Sequence, residues 1–279
     1  MELGFFENLI LGLISGFAEV LPVSAQAHRL VILKMLGVNG DSAVFRLMMH
    51  LAAAGALYFY CKGHIVRMMR ARRLARVPKN RRKRPLDTEA LMDFRFLFFT
   101  LIPVILGLVL NGKLAFLRKN LLYTAGLMLL NGIMLYIPQY LPGSNKQSGS
   151  LSRVDSLYFG LGGVLGLLPG VSGVGSAVSI GTVRGMDPEK ALNFALLMNI
   201  PVNLGLALLD LLELLSAGAG SLAFSALIFS LCAGAAAFAG IILAINLLKK
   251  VTANIGYSIF AFYCWGAALL TFMLYLAAA

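Results

Sequence analysis

The chain has 279 residues, 59% of them hydrophobic and only 13% charged, with a mean hydropathy of +0.83. A soluble domain carries about 25% charged residues, so this composition excludes a water-exposed globular enzyme and points to an all-α, polytopic membrane protein. The net charge of +12 is uneven: 11 of the 24 Lys and Arg residues lie between Lys62 and Arg84.

Apolar segments are expected at about 3–21, 23–36, 43–61, 94–112, 120–138, 155–168, 172–183, 190–212, 221–247 and 254–276. A hydrocarbon core of about 30 Å needs roughly 20 helical residues. The pieces 23–36, 155–168 and 172–183 are too short to span alone. Pro22 breaks the first pair, and Leu168-Pro169-Gly170 breaks the second. Short apolar pairs broken by Pro and Gly are the pattern of re-entrant hairpins. The expectation is therefore one membrane domain over 1–279, with about six full transmembrane helices and two re-entrant hairpins at 3–36 and 155–183. No cleavable signal peptide is expected, because Met1–Leu13 lacks a basic start and contains Glu2 and Glu7. Cys61, Cys232 and Cys264 have no metal-like spacing and read as small hydrophobes.

The basic stretch, taken as a loop at 62–93, reads as cytoplasmic by the positive-inside rule and as attracted to anionic headgroups rather than to nucleic acid. That placement opens the first hairpin outward and the second inward. It puts the polar linker 142–153, Arg184, Lys190, Lys249 and Lys250 inside. Lys113, Arg118 and Lys119 fall outside, a mild violation.

The halves, about 1–138 and 155–279, resemble each other. Gly12–Ser24 reads GLISGFAEVLPVS and Gly160–Ser172 reads GLGGVLGLLPGVS, while FRLMMHL at Phe45–Leu51 matches FALLMNI at Phe194–Ile200. With the opposed orientations above this is an inverted repeat, whose binding site is expected near the midplane where broken helices meet.

Polar groups at membrane depth are costly and mark function. Ser15 and Glu19 share one helix face, as do Ser24 and His28 beyond Pro22. The hairpin is thus expected to bring Glu19, Ser24 and His28 together, with Gln26 and Arg29 beside them and His50 facing the same region. Ser172, Ser176, Asn199 and Asn203 would supply neutral hydrogen-bonding groups from the second half. Gly170, Gly173 and Gly175 would free backbone N–H groups at a helix start, which favours anions. Ser15, Ser176 and Ser179 also suit helix packing.

AEVLPVSAQAH (Ala18–His28) and LLPGVSGVGSAVSIG (Leu167–Gly181) resemble the two signatures of the undecaprenyl pyrophosphate phosphatase family, the bacitracin-resistance type. The resemblance covers nearly the whole chain. It implies removal of the terminal phosphate from a polyprenyl diphosphate, renewing the lipid carrier of cell-wall synthesis, at a site on the outer side of the bacterial inner membrane. By position it implies Glu19, Ser24 and His28 as catalytic residues, and Gln26, Arg29, His50, Gly170, Ser172, Gly173, Ser176 and Asn199 as phosphate- or lipid-binding. It further implies a divalent metal, Mg or Ca, with Glu19 as a ligand. Homodimers are compatible with such families, but nothing in the sequence demands one.

The chain departs from the family pattern in places. The first motif glutamate is Ser15, the second serine of the first motif is Ala25, and the motif arginine is Gly173. Phosphoryl transfer relies on such charges. Two readings therefore stay open: a phosphatase whose nucleophile is Ser24 or a His28-activated water, and a non-hydrolytic polyprenyl-phosphate transporter, flippase or lipid-binding relative.

Overall fold

A computed structural model describes residues 3–38, 40–141, 146, 148–216 and 224–278. Ten α-helices carry the fold among the described residues: α1 Phe5–Val20, α2 Ala25–Met35, α3 Ala43–Ala75, α4 Thr88–Leu110, α5 Leu121–Tyr136, α6 Arg153–Leu165, α7 Gly173–Val183, α8 Pro188–Ser216, α9 Phe224–Asn254 and α10 Ser258–Ala278. Six of them, α3, α4, α5, α8, α9 and α10, are long and apolar enough to cross a membrane, α4 and α5 counted with the 3-10 turns that carry them to Leu114 and Tyr140. The protein is a multi-pass α-helical membrane protein. Parts of two expected segments, 142–145 and 147 in the polar linker and 221–223 before α9, lie outside the described residues.

The four short helices form two pairs, each turning back at a broken corner. Proline disfavours helical geometry in the residue before it, so α1 ends at Val20, with Leu21 extended (φ −71°, ψ 150°) and Pro22 next. The second corner contains Gly170 at φ +116°. A Cβ there would lie 2.6 Å from the Thr124 carbonyl oxygen, so glycine is required for both conformation and space.

The hairpins are held by long neighbours in a symmetrical way. α1 packs on α9 as α6 packs on α4, while α3 with α8 and α5 with α10 form the central pairs. At the α1–α9 contact Gly12 and Gly16, four apart, face Ala233 and Ala237. A Cβ on Gly16 would come within 2.2 Å of the Ala237 carbonyl oxygen. Without a hydrophobic drive between helices in lipid, such close backbone approach supplies the packing energy. Pro103 and Pro201 lie inside α4 and α8, as helix prolines can in a bundle where neighbours satisfy the freed backbone. Phe96, Phe159 and Phe194 form a buried aromatic cluster, with Phe96 and Phe194 ring centroids 4.7 Å apart.

The basic stretch corrects one expectation. The loop placed at 62–93 is mostly helix: α3 continues to Ala75 and α4 begins at Thr88. Lys, Arg and Met are good helix formers, and only Gly63 interrupts the run. At 1.5 Å per residue the 33 residues of α3 extend about 50 Å, well beyond a hydrocarbon core of about 30 Å. The charges therefore sit on an arm that emerges from the bilayer, tied back by Arg67 to Asp87 (2.6 Å) and Glu89 (3.0 Å).

Candidate functional site

The two broken corners touch each other. Ser24 is the N-cap of α2 and holds φ +66°, a left-handed value unusual for a residue with a side chain. Its Oγ accepts the Ala27 N–H at 3.4 Å and, from the opposite corner, the Gly170 N–H at 3.1 Å. Ser172, the N-cap of α7, reciprocates: its hydroxyl donates to the Leu21 carbonyl (3.1 Å) and its oxygen accepts the Gly175 N–H (3.2 Å). Asn131 of α5 closes the junction, donating to the Pro22 carbonyl (2.9 Å) and accepting the Ser172 N–H (2.9 Å).

Beside this junction lies a small open cavity of about 40 Å³. Glu19, Ser24, Gln26, Arg29, His50, Ser172, Gly173 and Asn199 all contribute to its wall. Glu19 Oε1 accepts from Asn203 Nδ2 (3.0 Å) and Asn199 Nδ2 (3.4 Å) of α8. Gly173 begins α7 at the wall, and the first N–H groups of a helix have no intrahelical acceptor. Arg29, 6% exposed, points into the cavity and pairs with Asp41 at 3.3 Å. Gln26 Oε1 is buried without a hydrogen-bond partner.

Of His28 and His50, only His50 borders this cavity. His28 does not line this cavity. Its Nδ1 lies 2.8 Å from the Ser24 carbonyl oxygen, and its Nε2 lies 2.7 Å from the Tyr263 hydroxyl of α10, with the two rings stacked. A carbonyl only accepts, so Nδ1 carries the proton and Nε2 accepts from Tyr263. Neither nitrogen is left for a substrate. His28 thus meets Ser24 at its carbonyl, but its ring stacks on Tyr263 of α10 and does not share the cavity wall with Glu19.

His50 is the histidine that lines the cavity, 7% exposed. Its Nδ1 is 2.7 Å from Asp210 Oδ2. A carboxylate accepts, so Nδ1–H donates and the Nε2 lone pair remains available. Asp210 also takes Arg46 Nε at 2.9 Å. A second open cavity of about 110 Å³ adjoins the first, sharing Gln26, Arg29 and His50. It is lined further by Asp41, Arg46, Asn111, Arg118 and Asp210.

Two other expected ligands are differently employed. Ser176 is fully buried and donates to the carbonyls of Gly162 (2.5 Å) and Ser172 (2.7 Å), so it packs α7 on α6 rather than facing a phosphate. The Gly170 N–H is spent on Ser24. The Ser15 hydroxyl, where the family signature has a glutamate, is buried without a partner.

Sequence reasoning missed Asp41, Arg46, Arg118 and Asp210. A signal was present: Arg46 and His50 are four apart and so share a face of α3, and Asp210 is an acid inside an apolar helix. Arg118 had been counted as a topological violation; its guanidinium instead faces the cavity and donates to Asn111.

A divalent ion needs about six oxygen ligands. Glu19 is the one carboxylate on the first cavity's wall, and its Oε1 faces two amide donors. Among the described residues no group of three or more His, Cys, Asp or Glu could hold a metal. These side chains alone do not make a resident metal site.

Two discontinuous helical corners, a carboxylate held by amides, and a polar crevice carrying arginines and an Asp-oriented histidine define a membrane protein built to handle an anionic group within a helical bundle. The chain belongs to the bacitracin resistance protein BacA family, whose profile matches residues 8–270. It is similar to the undecaprenyl-diphosphatase of Methanobrevibacter smithii, 29% identical over 96% of both chains. It is also similar to undecaprenyl-diphosphatase 1 of Shouchella clausii, 28% identical over 97% of this chain and 96% of the relative. The undecaprenyl-diphosphatase of Alteromonas mediterranea is 29% identical over 96% of this chain and 98% of its own.

Proposed function

We propose that the chain is a membrane phosphatase that hydrolyses undecaprenyl diphosphate, or a closely similar polyprenyl diphosphate, to the monophosphate and so recycles the lipid carrier. The observation that carries this reading is the crevice in which Arg29, the Glu19 carboxylate and the free Nε2 of His50 line one wall next to the Ser24–Gly170 junction. Arg29 stands in for the missing motif arginine, and the first N–H groups of α7 face the same anion.

A water attacks the terminal phosphorus in line with the bridging oxygen. His50 Nε2 takes its proton, while Asp210 holds the ring and stabilises the imidazolium. The bond from phosphorus to the bridging oxygen breaks, the proton passes to the leaving monophosphate, and inorganic phosphate is released. The Ser24 oxygen already accepts two backbone N–H groups, so its own proton is free to donate to a phosphoryl oxygen.

The bilayer placement follows from charge. Arg46 and the crevice lie toward the start of α3, and the basic arm lies at its far end. The positive-inside rule puts the arm in the cytoplasm of a plasma membrane, so the crevice opens to the outer side. In this reading the corners are re-entrant and the two halves form an inverted repeat, consistent with the symmetrical helix pairing.

The test is release of inorganic phosphate from a long-chain isoprenyl diphosphate by the purified protein in detergent micelles, with divalent ions and pH varied. Release that is lost in Arg29→Gln is expected. A protein that releases none under any of these conditions, yet moves labelled polyprenyl phosphate between leaflets of proteoliposomes, would replace hydrolysis with transport.

A further inference from the structure

Arg118 differs from the other cations of the second cavity in what it faces. Arg29 is paired with Asp41, and Arg46 with Asp41 (3.5 Å), Asp210 (2.9 Å) and Glu213 (2.6 Å). Arg118 donates to the neutral Asn111 Oδ1, and its Nε is buried with no partner. Three guanidiniums thus line a cavity whose wall offers two carboxylates, Asp41 and Asp210. Burial, and then the neighbouring Arg46, push the Arg118 pKa down against the opposing pull of Asp210 and Asp41.

An arginine stays charged under these conditions, and a charge in such a place is retained only if something pairs with it. The Asn111 side chain is 7% exposed and lines the same wall. With its oxygen taken by Arg118, its amide N–H groups remain as donors. The unpartnered Nε of Arg118, the amide N–H groups of Asn111 and the Arg29 guanidinium therefore line a cavity of about 110 Å³ that also carries the unpartnered Gln26 Oε1, with three guanidiniums on its wall against two carboxylates.

We propose that this cavity is a second oxyanion subsite that takes a phosphate dianion, with Arg118 supplying the unmatched charge. The inference rests on the phosphatase reading and deepens it. The subsite shares Gln26, Arg29 and His50 with the deeper cavity, so it receives the phosphate that leaves the reaction and passes it outward. The same chemistry suits a phosphate still attached to an isoprenoid, and the experiment separates the two.

Full-length protein in lipid nanodiscs is titrated with inorganic phosphate and, separately, with a short-chain isoprenyl monophosphate, binding being followed by calorimetry with no diphosphate present. Loss of hydrogen bonds from a charged donor weakens binding about 10- to 100-fold, which is the drop expected for R118Q. R118K keeps the charge without the fork and is expected to fall in between. Binding of inorganic phosphate assigns the subsite to the released product; binding of the isoprenyl monophosphate alone assigns it to the lipid headgroup. Either supports the subsite when R118Q removes it. Wild-type protein that binds neither ligand, or equal affinities in wild type and R118Q, overturns it. Should R118Q fail to fold, R118K carries the test, and affinity equal to wild type overturns the proposal. Because binding is read without turnover, Arg118-dependent binding in a protein that does not hydrolyse removes the catalytic reading alone. Hydrolysis with Arg118-independent phosphate affinity removes the subsite alone.

Discussion

Replacing His50 and His28 in turn separates two imidazoles that the sequence makes look interchangeable. His50 has a free Nε2 on the cavity wall and an Asp210 partner at 2.7 Å. His28 has both nitrogens committed, to the Ser24 carbonyl and the Tyr263 hydroxyl. Proton transfer by a positioned side chain is worth about 100- to 10,000-fold, or roughly 2.7–5.4 kcal/mol of barrier. His50→Gln keeps a donor for Asp210 but has no basic nitrogen, so kcat for phosphate release should fall by about that range with little change in thermal stability. His28→Ala removes two hydrogen bonds worth about 0.5–1.5 kcal/mol each. It should therefore lower stability by about 1–3 kcal/mol while kcat stays within about tenfold. Initial rates of phosphate release, read beside thermal melts of the same detergent samples, provide both numbers. If His28→Ala abolishes turnover in a folded protein while His50→Gln leaves it intact, the assignment of the proton carrier is wrong.

Other expectations follow from the same geometry. Gly170→Ala combines a φ of +116° with a Cβ 2.6 Å from the Thr124 carbonyl; strain of about 1–3 kcal/mol plus overpacking of about 1–3 kcal/mol should lower the melting temperature markedly, and an unchanged melt would contradict the corner described. Asn131→Ala leaves the Ser172 N–H unpaired and the Pro22 carbonyl with the Cys264 thiol as its one remaining donor. At about 1–3 kcal/mol for the buried N–H it should destabilise by about that amount, as read by the midpoint of thermal aggregation. Equilibrium dialysis of lipid-free protein against micromolar magnesium or calcium should find no stoichiometric binding, given one carboxylate on the cavity wall. A tightly held ion that Glu19→Gln releases would refute this.

Much of the fold was readable because its signals are local. Apolar length gave the six long helices, and Pro22 and Leu168-Pro169-Gly170 gave the corners. Glu19 stood out because an acid in an apolar stretch demands partners, and Asn199 and Asn203 are those partners. The rotation of α2 about its own axis was not readable. A four-residue spacing puts Ser24 and His28 on one side of a helix, but contact with Tyr263, 235 residues away, decides where that side faces. The same limit hid Asp210, whose role depends on α8 lying beside α3. The basic run was misjudged for a different reason: hydropathy reports where lipid ends, not where a helix ends, and α3 continues past that boundary.

The reciprocal bonds between the corners have a mechanical consequence. Ser24 receives from Gly170, Ser172 gives to Leu21, and Asn131 clasps both. The two halves are thereby buttoned together at the point where a rocking exchanger would have to part. Sliding one half past the other would strip three hydrogen bonds at once, whereas a headgroup slipping in from the side disturbs none of them. In the phosphatase reading, cargo then enters and leaves through the same door while the clasp stays shut.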